Sequence, residues 1–132
     1  MKLCEMSIHD LITVDYACGC GRHHHMAIDH LAIGKGAVNK LTEFLGEQKL
    51  KDGTALSKED KIYVIADVHT WPVAGEMVYD LVKAAGYPVE YYIFPHEEMH
   101  TNEIFIGELQ DAMPKDVKLP IAVGSGTIND LV

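Results

Sequence analysis

A chain of 132 residues, 48% apolar and 23% charged, is long enough to bury one core and has the balance of a soluble globular domain. A formal charge of −9, with the 11 Lys and Arg scattered, argues against nucleic acid, whose phosphates demand clustered basic side chains. No run approaches the roughly 20 apolar residues of a membrane span. The opening Met1-Lys2-Leu3-Cys4-Glu5 lacks the apolar stretch of a secretory leader, so a cytoplasmic protein is expected.

Residues 1–27 form a Cys/His-rich segment. Cys18-Gly19-Cys20-Gly21-Arg22-His23-His24-His25 packs two thiols and three imidazoles together. Three cysteines are an odd number for a disulfide framework, and Cys18 and Cys20 lie too close for an ordinary structural bridge. Thiolates and imidazoles suit Zn, Ni, Cu or Fe better than Mg or Ca. Glycines 19 and 21 allow the bends that two nearby cysteines need to reach one ion. A structural Zn site takes four ligands, and the fourth is open among Cys4, His9, His30 and another subunit. The other reading is a polar β-hairpin with free thiols and exposed histidines.

From residue 28 the pattern alternates between strand and helix. Ile28–Ile33 is a short strand, closed by Gly34 and Gly36. Residues 37–46 carry Val38, Leu41, Phe44 and Leu45 at helical spacing, and residues 48–60 are a polar connector. Residues 61–66 are a nearly continuous apolar, β-branched run, as in a parallel strand covered on both faces. Asp67 follows directly. Residues 72–85 read as a helix, with Pro72 in its first turn and Gly86 as its stop. A strand over 88–94, a helix over 101–113 and a strand over 119–123 complete the alternation. The expectation is a Rossmann-like layered α/β domain with a mainly parallel sheet over 28–132. Residues 128–132 read as the first turns of a further helix, so this domain is expected to be truncated at its C-terminus.

Gly124-Ser125-Gly126-Thr127 lies between the last strand and that helix. Glycines there allow close backbone approach to a pyrophosphate, and free N–H groups with the helix dipole favour its charge. The plainer reading is a tight turn with Ser125 or Thr127 as N-cap. Asp130, one turn along, can point back into the cleft. Position 129 is Asn, so this is not the G-x-G-x-x-G pattern. His96-Glu97-Glu98-Met99-His100 has the His spacing of a zinc protease but follows Pro95, in a loop or at a helix start. Trp71, Tyr91 and Tyr92 are packing residues, since no basic groove surrounds them.

Val123 to Leu131 resembles the glycine motif of sn-glycerol-1-phosphate dehydrogenases. These belong to the superfamily of iron-containing alcohol dehydrogenases, glycerol dehydrogenases and dehydroquinate synthases. Ala66-Asp67-Val68-His69-Thr70 with Gly75, and Ile33-Gly34-Lys35-Gly36-Ala37-Val38, are similar to two further family segments. The matches cover most of residues 18–132. Cys18, Cys20 and His24 align with an N-terminal element of some bacterial members.

The resemblance implies NAD or NADP as cofactor, with Gly124, Ser125, Gly126 and Thr127 on the pyrophosphate. Asp67, Thr70 and Asp130 are then cofactor-binding as well, with Asp67 near the adenosine ribose and Asp130 facing the nicotinamide end. For Asp67 a helix N-cap or a solvated strand end is the alternative. The resemblance also implies a second, helical domain, absent from these residues, whose Asp and His ligands hold a catalytic Zn or Fe. Such a metal polarises the alcohol or ketone oxygen during hydride transfer. The chain alone is then inactive, and the parent enzyme takes a small phosphorylated polyol or ketone, as in phospholipid metabolism. The alternative is a stand-alone dinucleotide- or metal-binding module without chemistry, with a homodimer expected where the sheet face lies bare.

Overall fold

A computed structural model describes residues 3–132; the part of the leader reading that rests on Met1 and Lys2 lies outside the described residues. The chain divides into two compact units, Met1–Ala37 and Val38–Val132.

In the first unit a 3-10 turn (Leu3–Glu5) precedes a short helix, α1 (Ile8–Ile12). Ser7 caps this helix reciprocally. Its hydroxyl accepts the Asp10 amide at 3.2 Å, and the Asp10 carboxylate accepts the Ser7 amide at 3.3 Å. Strands β1 (Asp15–Ala17) and β2 (His23–His25) pair antiparallel, with Tyr16 opposite His24. Their connection closes when the Cys18 amide donates to the Arg22 carbonyl at 2.8 Å and the Gly21 amide to the Cys18 carbonyl at 3.0 Å. Gly21 holds φ at 83°, a conformation costly for any residue with a Cβ. Residues 28–33, expected as a strand, form none. They carry no strand pairing among the described residues, and Ile28 and Ile33 are 40% and 71% exposed. An apolar run becomes a strand only when a neighbour bonds its backbone.

The second unit alternates strand and helix. A 3-10 turn (Ala37–Lys40) runs into α2 (Leu41–Glu47), and β3 (Lys61–Asp67) follows the polar connector. A π turn (Trp71–Gly75) leads into α3 (Glu76–Ala84). Next come β4 (Val89–Phe94), α4 (Glu103–Ala112), β5 (Val117–Ala122) and α5 (Gly126–Leu131). The sheet order is β4-β3-β5, parallel throughout. Its last strand starts two residues before the expected Leu119. Pro120 is tolerated because β5 is an edge strand, where a missing N–H breaks no outer ladder.

The central strand explains the layering. Ile62, Val64 and Ala66 point to one face and pack with Leu45, Val78, Val82 and Tyr87. Tyr63 and Ile65 point to the other, against Phe94, Leu109, Ile128 and Leu131. Side chains alternate along a strand, so an unbroken apolar run builds two cores at once. Helices α2 and α3 cover the first face, α4 and α5 the second. This is an α/β domain with a parallel sheet, as the alternation of elements predicts.

Candidate functional site

In an open parallel sheet, ligands gather at the carboxyl ends of the strands. At this end β3 delivers Asp67 into a tight turn. Its Oδ1 accepts the amides of His69 at 2.9 Å and Thr70 at 2.7 Å, while the Asp67 amide donates to Thr70 Oγ1 at 3.0 Å. The two side chains thus lock each other in place, and both remain half-buried. One carboxylate oxygen of Asp67 is committed to the turn, while the N-cap of the helical segment that follows is Thr70.

Beside it, β5 runs parallel to β3, with Ile65 opposite Ala122 and the Val123 amide donating to the Ile65 carbonyl at 2.8 Å. The chain then turns through Gly124 and Ser125 into α5. A Cβ built on Gly124 would lie 2.8 Å from Ile128 Cγ1 and 3.4 Å from Thr70 Cγ2. Gly124 therefore seats the glycine turn directly against the Asp67–Thr70 turn. A Cβ on Gly126 would meet nothing within 4 Å, so the space over the start of α5 is open.

Gly124, Ser125 and Gly126 are exposed and Thr127 half-buried. Ser125 is the N-cap residue, but its side chain makes no capping bond. Among the described residues, no protein acceptor sits on the amides of 124–127. Four donors in sequence, at the positive end of a helix and beside a strand end, suit a doubly charged phosphate. Asp130, exposed one turn along α5, makes no described hydrogen bond to Asp67 or Thr70.

The structure adds contacts that spacing alone did not reveal, and one residue, Glu108. His69 Nε2 lies 3.1 Å from the Glu97 carbonyl and 3.3 Å from its carboxylate, tying the loop after β3 to the loop after β4. His96 Nε2 is 2.8 Å from Glu108 Oε2, and Tyr92 donates its hydroxyl to Glu108 Oε1. Residues 96–100 are irregular rather than helical, so the His-Glu-x-x-His run lacks the helix a zinc protease needs. Tyr92 lies within β4 and Glu108 within α4, so no local spacing pairs them with His96. Trp71, Tyr79 and Tyr91 pack on one another, with Trp71 and Tyr91 centroids 4.5 Å apart.

The Tyr92 hydroxyl and His96 hold the Glu108 carboxyl below its ordinary value of 4.5, against the opposing effect of burial. Burial, then the bond to Glu108, pushes Tyr92 up to about 12. A depressed carboxyl contributes stability above its unfolded pKa and loses it as pH falls through the folded one. A raised phenol contributes below its unfolded pKa of 10 and loses it as pH climbs toward 12. Glu108→Gln is therefore expected to flatten the decline in stability on the acid side of pH 4.5. It should also lessen the alkaline decline. Chemical denaturation across pH 2–11 checks both; unchanged slopes would remove the network from the account.

In the first unit, the hairpin gathers Cys18, Cys20 and His24, whose ligand atoms lie within 4.8 Å of one another. Cys20 Sγ is 3.1 Å from His24 Nε2. The Cys20 amide donates to Cys18 Sγ at 3.4 Å, and this bond, with that to the Cys20 side chain, lowers the Cys18 thiol pKa. Both are free thiols. Among the described residues, no other group of His, Cys and carboxylate side chains is spaced as metal ligands.

Residues 32–132 match the model of a family described as iron-containing alcohol dehydrogenase. A glycerol-1-phosphate dehydrogenase (NAD(P)+) of Halalkalibacterium halodurans is 35% identical over 118 residues, covering 86% of this chain and 27% of that protein. A protein of the same name from Geobacillus stearothermophilus is 23% identical over 131 residues, 96% of this chain and 30% of its own length. A 3-dehydroquinate synthase of Acaryochloris marina is 27% identical over 106 residues, 76% of this chain and 27% of its own. This chain thus spans less than a third of these relatives. No solved structure matches it.

Proposed function

The chain belongs to the iron-containing alcohol dehydrogenase family, and from that footing we propose that it is the NAD(P)-binding N-terminal portion of a dehydrogenase. The proposed reaction interconverts glycerol 1-phosphate and dihydroxyacetone phosphate, or a similar polyol and ketone. The observation that carries this reading is the run of amides at 124–127 that meet no acceptor among the described residues, seated against the Asp67–Thr70 turn at the carboxyl end of a parallel sheet.

Gly124, Ser125, Gly126 and Thr127 hold the pyrophosphate through main-chain N–H groups, with the dipole of α5 aligned on its charge. Asp67 takes the adenosine ribose. Its Oδ1 is held by two amides, so Oδ2 accepts the ribose hydroxyl, and the negative charge disfavours a 2′-phosphate. Thr70 binds the cofactor beside it: its Oγ1 accepts the Asp67 amide, which leaves the hydroxyl its own O–H to donate to the ligand. Asp130 faces the nicotinamide end. When bound, the nicotinamide gives or takes the hydride.

The catalytic Zn or Fe implied by the family does not fit the residues in hand. The one ligand-spaced group described is thiolate-rich, whereas the family resemblance implies Asp and His. No chemical step is assigned to these 132 residues, and the chain by itself is proposed to bind cofactor without turnover.

Calorimetric titration with NADH and NADPH tests the cradle. The wild-type chain should bind NADH more tightly than NADPH. Gly126→Val should weaken both about tenfold or more, a loss of roughly 1.4 kcal/mol, because its side chain projects into the open space above α5. Its unfolding midpoint should stay near that of the wild type. Equal binding by the variant, or no binding by the wild type at millimolar cofactor, would remove the assignment.

A further inference from the structure

We propose that Cys18, Cys20 and His24 bind one zinc-class divalent cation through two thiolates and one imidazole, with the fourth coordination position open to solvent.

Three features of the hairpin assemble this donor set. The Cys18–Arg22 and Gly21–Cys18 backbone bonds fold the connection back on itself. The left-handed Gly21 lets the chain reverse within those few residues and so brings Cys20 over the hairpin. The antiparallel register places His24 opposite Tyr16, whose ring stacks on the imidazole at 5.7 Å and 29° and so fixes its orientation.

The distances suit a tetrahedral ion. Bonds of about 2.3 Å to sulfur and about 2.0 Å to nitrogen set ligand atoms about 3.5–3.8 Å apart. Cys20 Sγ and His24 Nε2 stand at 3.1 Å, and all three ligand atoms fall within 4.8 Å. Closure on an ion needs rotamer adjustment of the exposed Cys20 and His24 and of the half-buried Cys18. Two sulfurs and one nitrogen select a thiophilic ion over Mg or Ca. Cys20 and His24 are exposed, which leaves the fourth position facing water.

The neighbouring histidines are not part of the set. Side chains alternate along β2, so His23 and His25 point to the face opposite His24. The His23 Nδ1 is also engaged, 2.6 Å from Asp15 Oδ1. Binding releases two thiol protons and no electrons, so no oxidant or reductant is involved.

The test is Co2+ titration of the full chain after chelator stripping under reducing conditions, followed by Zn2+ displacement. The wild type should take up one equivalent, with a thiolate-to-cobalt band in the near ultraviolet and tetrahedral d–d bands in the red, both erased by Zn2+. Cys18→Ser and Cys20→Ser should each weaken binding about tenfold or more and halve the near-ultraviolet band. His24→Cys should keep one equivalent and show three thiolates, a gain that misfolding cannot mimic. His23→Ala and His25→Ala should leave the spectrum unchanged.

Absence of the band in the wild type overturns the proposal. So does its survival in the Cys18→Ser/Cys20→Ser double variant, or its loss in His23→Ala. Finding Cys18 and Cys20 joined to each other in protein kept from reductant would replace the site with a redox pair.

Discussion

Phe94→Ala is expected to destabilise the second unit by about 3–5 kcal/mol, the range for emptying a fully buried aromatic site. Phe94 ends β4 with no exposed surface and lies in the core shared by β3, α4 and α5. Its ring meets Tyr92 and Phe105 edge-on, with centroids 5.0 and 6.2 Å away. The neighbours cannot collapse into the gap, because Tyr92 is tied to Glu108 and Tyr63 donates its hydroxyl to the Ala112 carbonyl. A domain of this size has about 5–15 kcal/mol in total, so the loss is a large share of its stability. Urea denaturation should show a much lower midpoint at unchanged slope. A drop under 1 kcal/mol would mean that α4 and α5 do not pack on this face. Phe94→Leu should recover most of the loss, since it refills the apolar space.

Gly124→Ala and Gly126→Ala are expected to move stability in opposite directions, although they lie two residues apart. A Cβ on Gly124 would stand 2.8 Å from Cγ1 and 3.0 Å from Cβ of Ile128, which is wholly buried. Ile128 is β-branched and already at the start of α5, so it has no free rotamer into which to retreat. Overpacking of this kind costs about 1–3 kcal/mol. It also pushes the turn away from Thr70, so dinucleotide affinity should fall with stability. Gly126 begins α5 at a φ outside the left-handed region, and its Cβ meets nothing. Alanine there restricts the unfolded chain and should be neutral to about 1 kcal/mol stabilising. Thermal unfolding of both variants settles the contrast. A stable Gly124→Ala would show that the glycine turn does not rest on Ile128.

Much of this architecture was legible in the residues. The run Ile62–Ala66 has no polar side chain apart from the hydroxyl of Tyr63, and that pattern describes a strand covered on both faces. The helices announced themselves through apolar spacing, and Gly86 stops α3 at φ 88° as its position suggested; the Asn102 cap on the amides of Ile104 and Phe105 is set by the structure, one residue inside the expected start at Thr101. The Ile28–Ile33 strand failed because periodicity describes one segment alone, while a strand is a property of two. The His96–Glu108–Tyr92 network was out of reach for a similar reason. Its members come from a loop, a helix and a strand, and only packing sets their separations.

By itself the sequence determined the α/β alternation, the doubly buried central strand and the two segments to which the proposals attach, the Cys/His segment and the glycine turn. These are local matters of side-chain type and spacing. Only the tertiary structure decided the strand order β4-β3-β5, which sets Gly124 against Thr70 and links His69 to Glu97. It also decided that, among the described residues, the amides at 124–127 meet no protein acceptor. The physical reason is that a hydrogen bond or a steric contact between distant residues depends on where two elements dock, and docking is set by how both cores pack around β3.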